Sequence, residues 1–145
     1  MSEQNVELHR RLVDAYNARD TGTFIALCDP QISVHSSFAA PGGAVYEGHD
    51  GIRKWHRDLE EAWGDEFRVE PEAFFDLGDE TLMFAVLHGH GLKSGVEVDM
   101  PNAQVARLRD GLIVYLKVYM HREDALADLG VSEDELEPLD PSRQS

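Results

Sequence analysis

Cysteine is nearly absent from this 145-residue chain. The single thiol, Cys28, excludes an internal disulfide framework, suits a reducing compartment and leaves the fold to rest on its apolar core. Basic side chains are also scarce: 13 Lys and Arg stand against 28 Asp and Glu, a formal net charge of −15. A surface that negative repels phosphate backbones and anionic headgroups, so neither nucleic acid nor a membrane surface is an expected partner. No apolar run approaches the roughly 20 residues that span a bilayer. The opening Met-Ser-Glu-Gln-Asn-Val-Glu has neither the basic end nor the apolar stretch of a secretory signal, and a cytoplasmic location is expected. What the chain does have is length enough for one domain, able to bury about 70% of the surface its unfolded form exposes.

Helical periodicity comes first. Val6, Leu8, Leu12, Ala15 and Tyr16 recur at helical spacing, and a second short helix carries Phe24, Ile25, Leu27 and Cys28 before Asp29-Pro30 stops it. Alternation then sets in: Ile32, Val34 and Ser36 interleave with Ser33, His35 and Ser37, the mark of a strand. Residues 39–49, with Pro41, Gly42, Gly43 and Gly48, read as a flexible loop, and Asp50 as the cap of a helix with Ile52, Trp55, Leu59 and Trp63 on one face. Four strands follow, near 67–75, 81–91, 96–108 and 112–121. Lys93-Ser94-Gly95 and Arg109-Asp110-Gly111 are placed as three-residue hairpin loops. After a short helix near 122–129, Ser132 and Glu135 form a capping box, and the last several residues are expected to be disordered. The domain spans 1–130 and a polar tail 131–145. Helices segregated from antiparallel strands mean α+β, with three helices from the N-terminal half on a bent antiparallel sheet.

Those loops dictate which residues share a face. The first pairs His90 with Val98, His88 with Met100, Val86 with Asn102 and Phe84 with Gln104; the second pairs Gln104 with Leu116 and Asn102 with Val118. The helix-facing side then collects Phe84, Val86, His88, His90, Met100, Asn102, Gln104, Leu116 and Val118. Met83, Leu87, Tyr115 and Tyr119 fall on the other side, an apolar surface that predicts a homodimer through the outer sheet face. His88, Asn102 and Gln104 among aliphatic residues either satisfy one another as a core network or line a cavity. With Ser36 joining from the first strand, the pattern favours a pocket for a small apolar molecule. Trp55 borders it from the helix.

His88 is the acid/base candidate, because an imidazole in a semi-buried cleft titrates near neutral pH. The other reading makes it a core histidine bonded to Asn102 or to a backbone carbonyl. His88-x-His90 has the spacing of a metal pair, but Asp99 and Glu97 fall on the opposite face in this register, and no metal is expected. Neither is a cofactor: Gly42-Gly43 matches no phosphate loop.

Several segments carry a resemblance: Ala15-Tyr16-Asn17-Ala18-Arg19-Asp20, Cys28-Asp29-Pro30, Tyr46-Glu47-Gly48-His49-Asp50-Gly51-Ile52, the run Val98–Val105 and the run Leu108–Val114. Over about residues 5–130 the chain resembles the SnoaL-like polyketide cyclases, within the nuclear transport factor 2-like superfamily. The resemblance implies a cone, in which a bent sheet wraps a long helix around a hydrophobic pocket. It also implies membership in a set of cyclases, isomerases, hydrolases, dehydratases and non-catalytic binding modules, many of them dimers. Carried over by position, the steroid isomerase groups would fall at Ser36, Leu12 and Gln104, and the epoxide hydrolase Asp-Arg-Asp relay at His88, Val86 and Val118; neither set is present. The expected function is small-molecule binding. It would be coupled to proton transfer by His88 on a carbonyl that Asn102 and Gln104 orient, with a non-catalytic ligand-binding or protein-interaction module as the alternative.

Overall fold

The computed structural model describes residues 2–38, 43–64, 66–90 and 97–136. Helix α1 (Ser2–Asn17) buries Val6, His9, Leu12, Val13 and Tyr16, a stripe at three- and four-residue spacing. Asp20 caps α2 (Thr21–Ala26), its carboxylate accepting from the Thr23 N–H at 3.1 Å. Strand β1 (Cys28–Ser36) follows, then a short strand β2 (Ala44–Glu47) and helix α3 (Gly48–Trp63), which buries Ile52, Trp55 and Leu59. A meander of β3 (Arg68–Asp76), β4 (Glu80–His90), β5 (Glu97–Arg109) and β6 (Leu112–Tyr119) leads into α4 (Arg122–Leu129). The expected capping box closes the described chain over Glu133–Glu135, with the Ser132 hydroxyl donating to the Glu135 carboxylate at 2.9 Å. Among the described residues no helix is long and apolar enough to cross a membrane.

The α+β class holds, with two additions. The sheet has six strands in the order β2-β1-β6-β5-β4-β3, and it is mixed rather than wholly antiparallel, because β1 runs parallel to β6. Residues 44–47, expected as loop, pair as an edge strand with Ser33–Ser36, and α3 begins at Gly48 rather than after Asp50.

The two expected hairpins turn out differently. Arg109 pairs with Leu112, so the β5–β6 loop has two residues, Asp110-Gly111, both at positive φ (55° and 77°) as a type I′ turn requires. A bulge between Arg107 and Leu108 then shifts the ladder, so Gln104 meets Val118 and Ala106 meets Leu116. Relative to the expected pairs this is a slip of two along Ala103–Arg107, which keeps Asn102, Gln104, Leu116 and Val118 on their expected face; at Leu108 the slip is one, and Ile113 is buried in the main core.

The β4–β5 hairpin slips by one, and a one-residue slip exchanges the faces. His88 lies opposite Asp99, not Met100; Val86 opposite Pro101, Phe84 opposite Ala103 and His90 opposite Glu97. Lys93-Ser94-Gly95, the loop that set the expected pairing, lies outside the described residues, as does the tail beyond residue 136. The helix side of β4 is therefore Met83, Ala85 and Leu87, packed with α1, α2 and α3 in the main core. Phe84 and Leu82 belong to a second core on the outer face, where Ala125, Leu126 and Leu129 of α4 cover Phe75, Val105 and Tyr119. This also corrects the argument for a dimer: of its four apolar residues, Met83 and Leu87 are buried beneath the helices, and Tyr119 lies in the core that α4 helps form.

Candidate functional site

Strand parity decides what reaches the interior of the cone. Ser36 of β1, Val118 of β6, and Asn102 and Gln104 of β5 line one cavity with Leu87 of β4 and Val69 of β3. Leu12, Val13 and Tyr16 of α1, Phe24 of α2, and Trp55 and Leu59 of α3 close it from above, with Phe38 and Phe67. The space is small, about 30 Å³. Among the described residues no charged side chain lines it.

The polar lining residues are not equivalent. The Ser36 hydroxyl accepts from the Phe38 N–H at 3.3 Å. Gln104 is tied from behind: its Oε1 lies 2.7 Å from His9 Nε2, and His9 Nδ1 lies 2.7 Å from the Thr81 hydroxyl. Since a carbonyl oxygen only accepts, Nε2 carries the ring proton and Thr81 donates to Nδ1. Burial pushes the His9 imidazole down to about 4, with the Gln104 bond opposing the shift, so at neutral pH it is uncharged.

Asn102 has no such arrangement. It is 1% exposed, yet neither Oδ1 nor Nδ2 has a partner among the described residues. Trp55, 4% exposed, is likewise left with an unpartnered indole N–H. Asn102's backbone, by contrast, is held firmly. Arg122, at the start of α4, donates from Nε to the Asn102 carbonyl at 3.1 Å and from a terminal nitrogen to the Ala85 carbonyl at 2.8 Å. Its guanidinium lies over the Phe84 ring, 4.7 Å from the centroid. The strand pair Ala85–Asn102 is thus pinned from the outer face while the Asn102 side chain points inward.

Of the residues expected in the pocket, Ser36, Trp55, Asn102, Gln104 and Val118 line the cavity. Met100 and Leu116 belong to the surrounding core without lining it. His88, Phe84 and Val86 stand on the other side of the sheet, for the register reason given above. His88 bridges two carboxylates there, with Nε2 2.7 Å from Glu70 and Nδ1 2.6 Å from Asp99. Those bonds, Glu70 first, raise its pKa and make it an ionic clamp across β3, β4 and β5. Asp99, expected on the opposite face from His88, is its direct partner. Among the described residues no group of three or more His, Cys, Asp or Glu is arranged to hold a metal ion.

His9 escaped the sequence reading. Its signal was its place between Val6 and Leu12–Val13 in the apolar stripe of α1, where a polar side chain must find a buried partner. The remaining titratable groups near the cavity resist proton transfer at neutral pH. Burial pushes the Tyr16 hydroxyl up to about 12. Behind Trp55 and Phe24, His56 is pushed down to about 4 by burial and by Arg19.

A six-stranded sheet curled over three helices, with a polar belt inside an apolar cavity, defines a cone-shaped α+β protein of the nuclear transport factor 2-like kind. A family model described as a SnoaL-like domain matches residues 9–116, and the chain belongs to that family. Among solved structures, it is similar to an NTF2-like protein of unknown function from Burkholderia pseudomallei: 17% identity, 86% of this chain and 95% of that one, TM-score 0.74. TerC co-crystallized with polyporic acid aligns at 19% identity over 87% and 97% of the two chains, TM-score 0.73. A putative SnoaL-like polyketide cyclase from Jannaschia sp. aligns at 23% identity over 81% and 85%, TM-score 0.70. At these identities the likeness is one of fold. No curated protein matches the chain.

Proposed function

We propose that this SnoaL-like protein binds a small, uncharged, mainly apolar molecule inside the cone, with Asn102 as the polar anchor. The supporting observation is the Asn102 side chain, buried with both its donor and its acceptor unused. Each buried polar group without a partner costs about 1–3 kcal/mol, so Asn102 is retained at a cost that a ligand, or water standing in for one, would offset. The apolar lining favours a ligand without formal charge, because an ion there would meet no counter-charge. As it stands the cavity holds about two waters, so even a single small ring enters only as the lining side chains give way.

Binding without proton transfer is the reading the geometry favours. His88 is on the wrong side of the sheet, His9 is neutral and bonded at both nitrogens, and Tyr16 holds its proton. Self-association through the outer face, around Tyr115 and Lys117, rests on less apolar area than the sequence pattern promised. The lone, buried Cys28 supports a cytoplasmic setting.

A thermal-shift screen of uncharged small metabolites tests the reading. Ligands that bind the folded state raise the melting temperature in proportion to the logarithm of concentration over Kd. Hits are expected to stabilise the wild type and to lose most of that effect in Asn102→Leu. Equal shifts in both proteins would overturn the role of Asn102, and no hits at all would overturn the cavity as a ligand site.

A further inference from the structure

We propose that the cavity selects molecules presenting a cis-amide edge, a carbonyl oxygen and an N–H side by side in one plane, as in a lactam or a primary amide. This rests on the reading of Asn102 as ligand anchor and names the chemistry it selects. The starting observation is that Oδ1 and Nδ2 of Asn102 are both unpartnered at 1% exposure. A carboxamide that lacked only an acceptor would be satisfied by a ketone or an ether, and one that lacked only a donor by an alcohol. Asn102 lacks both at once, and its two atoms lie on the same planar group, facing the same way.

The complement of that pair is another planar group with acceptor and donor in reversed order, so that two parallel N–H···O bonds close a ring. Cis-amides have this edge. Carboxylic acids share the geometry, but burial without a counter-charge disfavours the carboxylate they become at neutral pH, and among the described residues the lining offers no cation. Trp55, whose indole N–H is also unpartnered, lines the same cavity, and that donor suits a second lone pair on a carbonyl oxygen. Gln104 does not compete for this role, because His9 occupies its Oε1. The small volume keeps the selected edge on a compact ring or short chain.

The experiment compares γ-butyrolactam with γ-butyrolactone, rings of the same size in which N–H is replaced by an acceptor-only oxygen. Each is titrated into isotopically labelled wild-type protein while the Asn102 side-chain amide and the Trp55 indole resonances are followed by NMR. The lactam is expected to saturate both signals, and the lactone to bind at least about tenfold more weakly, the scale of one buried hydrogen bond. In Asn102→Leu the lactam should fall to the level of the lactone. If lactam and lactone bind the wild type equally, the cis-amide selection is overturned while the cavity remains a ligand site. If neither moves the two resonances, water alone occupies the site and both proposals fall. The wild-type comparison stands by itself should the variant fold poorly.

Discussion

His9 is fully buried on α1, and its imidazole is held down to about 4 against an ordinary value of 6.5. Its folded-state pKa is depressed, so the unfolded chain binds a proton that the folded one refuses. The stability it supports is complete above pH 6.5 and is lost as the pH falls toward 4. Linkage over that gap gives a loss of about 2 kcal/mol on going from about pH 7.5 to about pH 5, which for a chain of this size lowers the melting temperature by roughly 6–8 °C. The perturbation that isolates it is His9→Gln, whose amide nitrogen can still donate to Gln104 but cannot titrate. Urea unfolding at the two pH values is run on both proteins, because the many surface carboxylates and His56, also held down to about 4, titrate alike in each. The quantity of interest is the difference between the two pH dependences, expected to be about 2 kcal/mol with the wild type the more acid-sensitive. Equal acid sensitivity would show that His9 is not the buried neutral group described here.

On the outer face the sign reverses. His88 is raised by Glu70 and Asp99, so its clamp is complete below its unfolded value of 6.5 and is lost as the pH rises through the higher folded value. The melting-temperature gap between wild type and His88→Ala should therefore be wider at about pH 6 than at about pH 8, with ligand affinity unchanged; a loss of affinity would refute its placement outside the cavity. Replacing Arg122 by Ala removes donors from the Asn102 and Ala85 carbonyls and should cost about 2–3 kcal/mol by urea unfolding. Lysine should restore only part of this, since it lacks the fork that spans both strands. Gln104→Leu strands the buried Nε2–H of His9 and should destabilise by about 1–3 kcal/mol, whereas Asn102→Leu strands nothing and should be neutral or stabilising without ligand. Equal losses in the two variants, by thermal or chemical unfolding, would contradict this contrast.

Much of the fold was legible because its signals are local. The stripe of α1, the apolar face of α3 and the capping box at Ser132 and Glu135 each lie within a few residues of sequence. The site was less legible because it depends on parity between strands. His90 pairs with Glu97, so six residues separate the paired ends of β4 and β5, an even number where a three-residue loop had been expected. That difference moved His88 from a cavity to a surface clamp. The Asp110-Gly111 turn was misread as well, but the bulge beside it absorbed the odd residue, and Asn102, Gln104 and Val118 stayed on the inner face. Strand β2 is four residues long and follows a glycine-rich stretch, too short for alternation to show. Its inward Tyr46, bonded to Asp58 of α3 at 2.7 Å, was the hint that it belonged to the fold.

Two amides two residues apart on one strand face have opposite fates, and the elements packed over them explain it. Gln104 lies under α1, where His9 reaches its carbonyl and Thr81 of β4 completes the chain. Beside Asn102 on β4 stands Ala85, which has no polar group to offer, and the cavity is roofed by aromatic and aliphatic side chains, among them Trp55, whose Nε1 is itself unpartnered. A core under selection for stability alone would place an apolar residue at such a position, since an unsatisfied amide weakens the fold and a leucine of similar size would not. A half-satisfied belt, closed beneath α1 and open at Asn102, is the arrangement the proposed binding role requires: one end of the cavity holds the fold together and the other is left for the ligand.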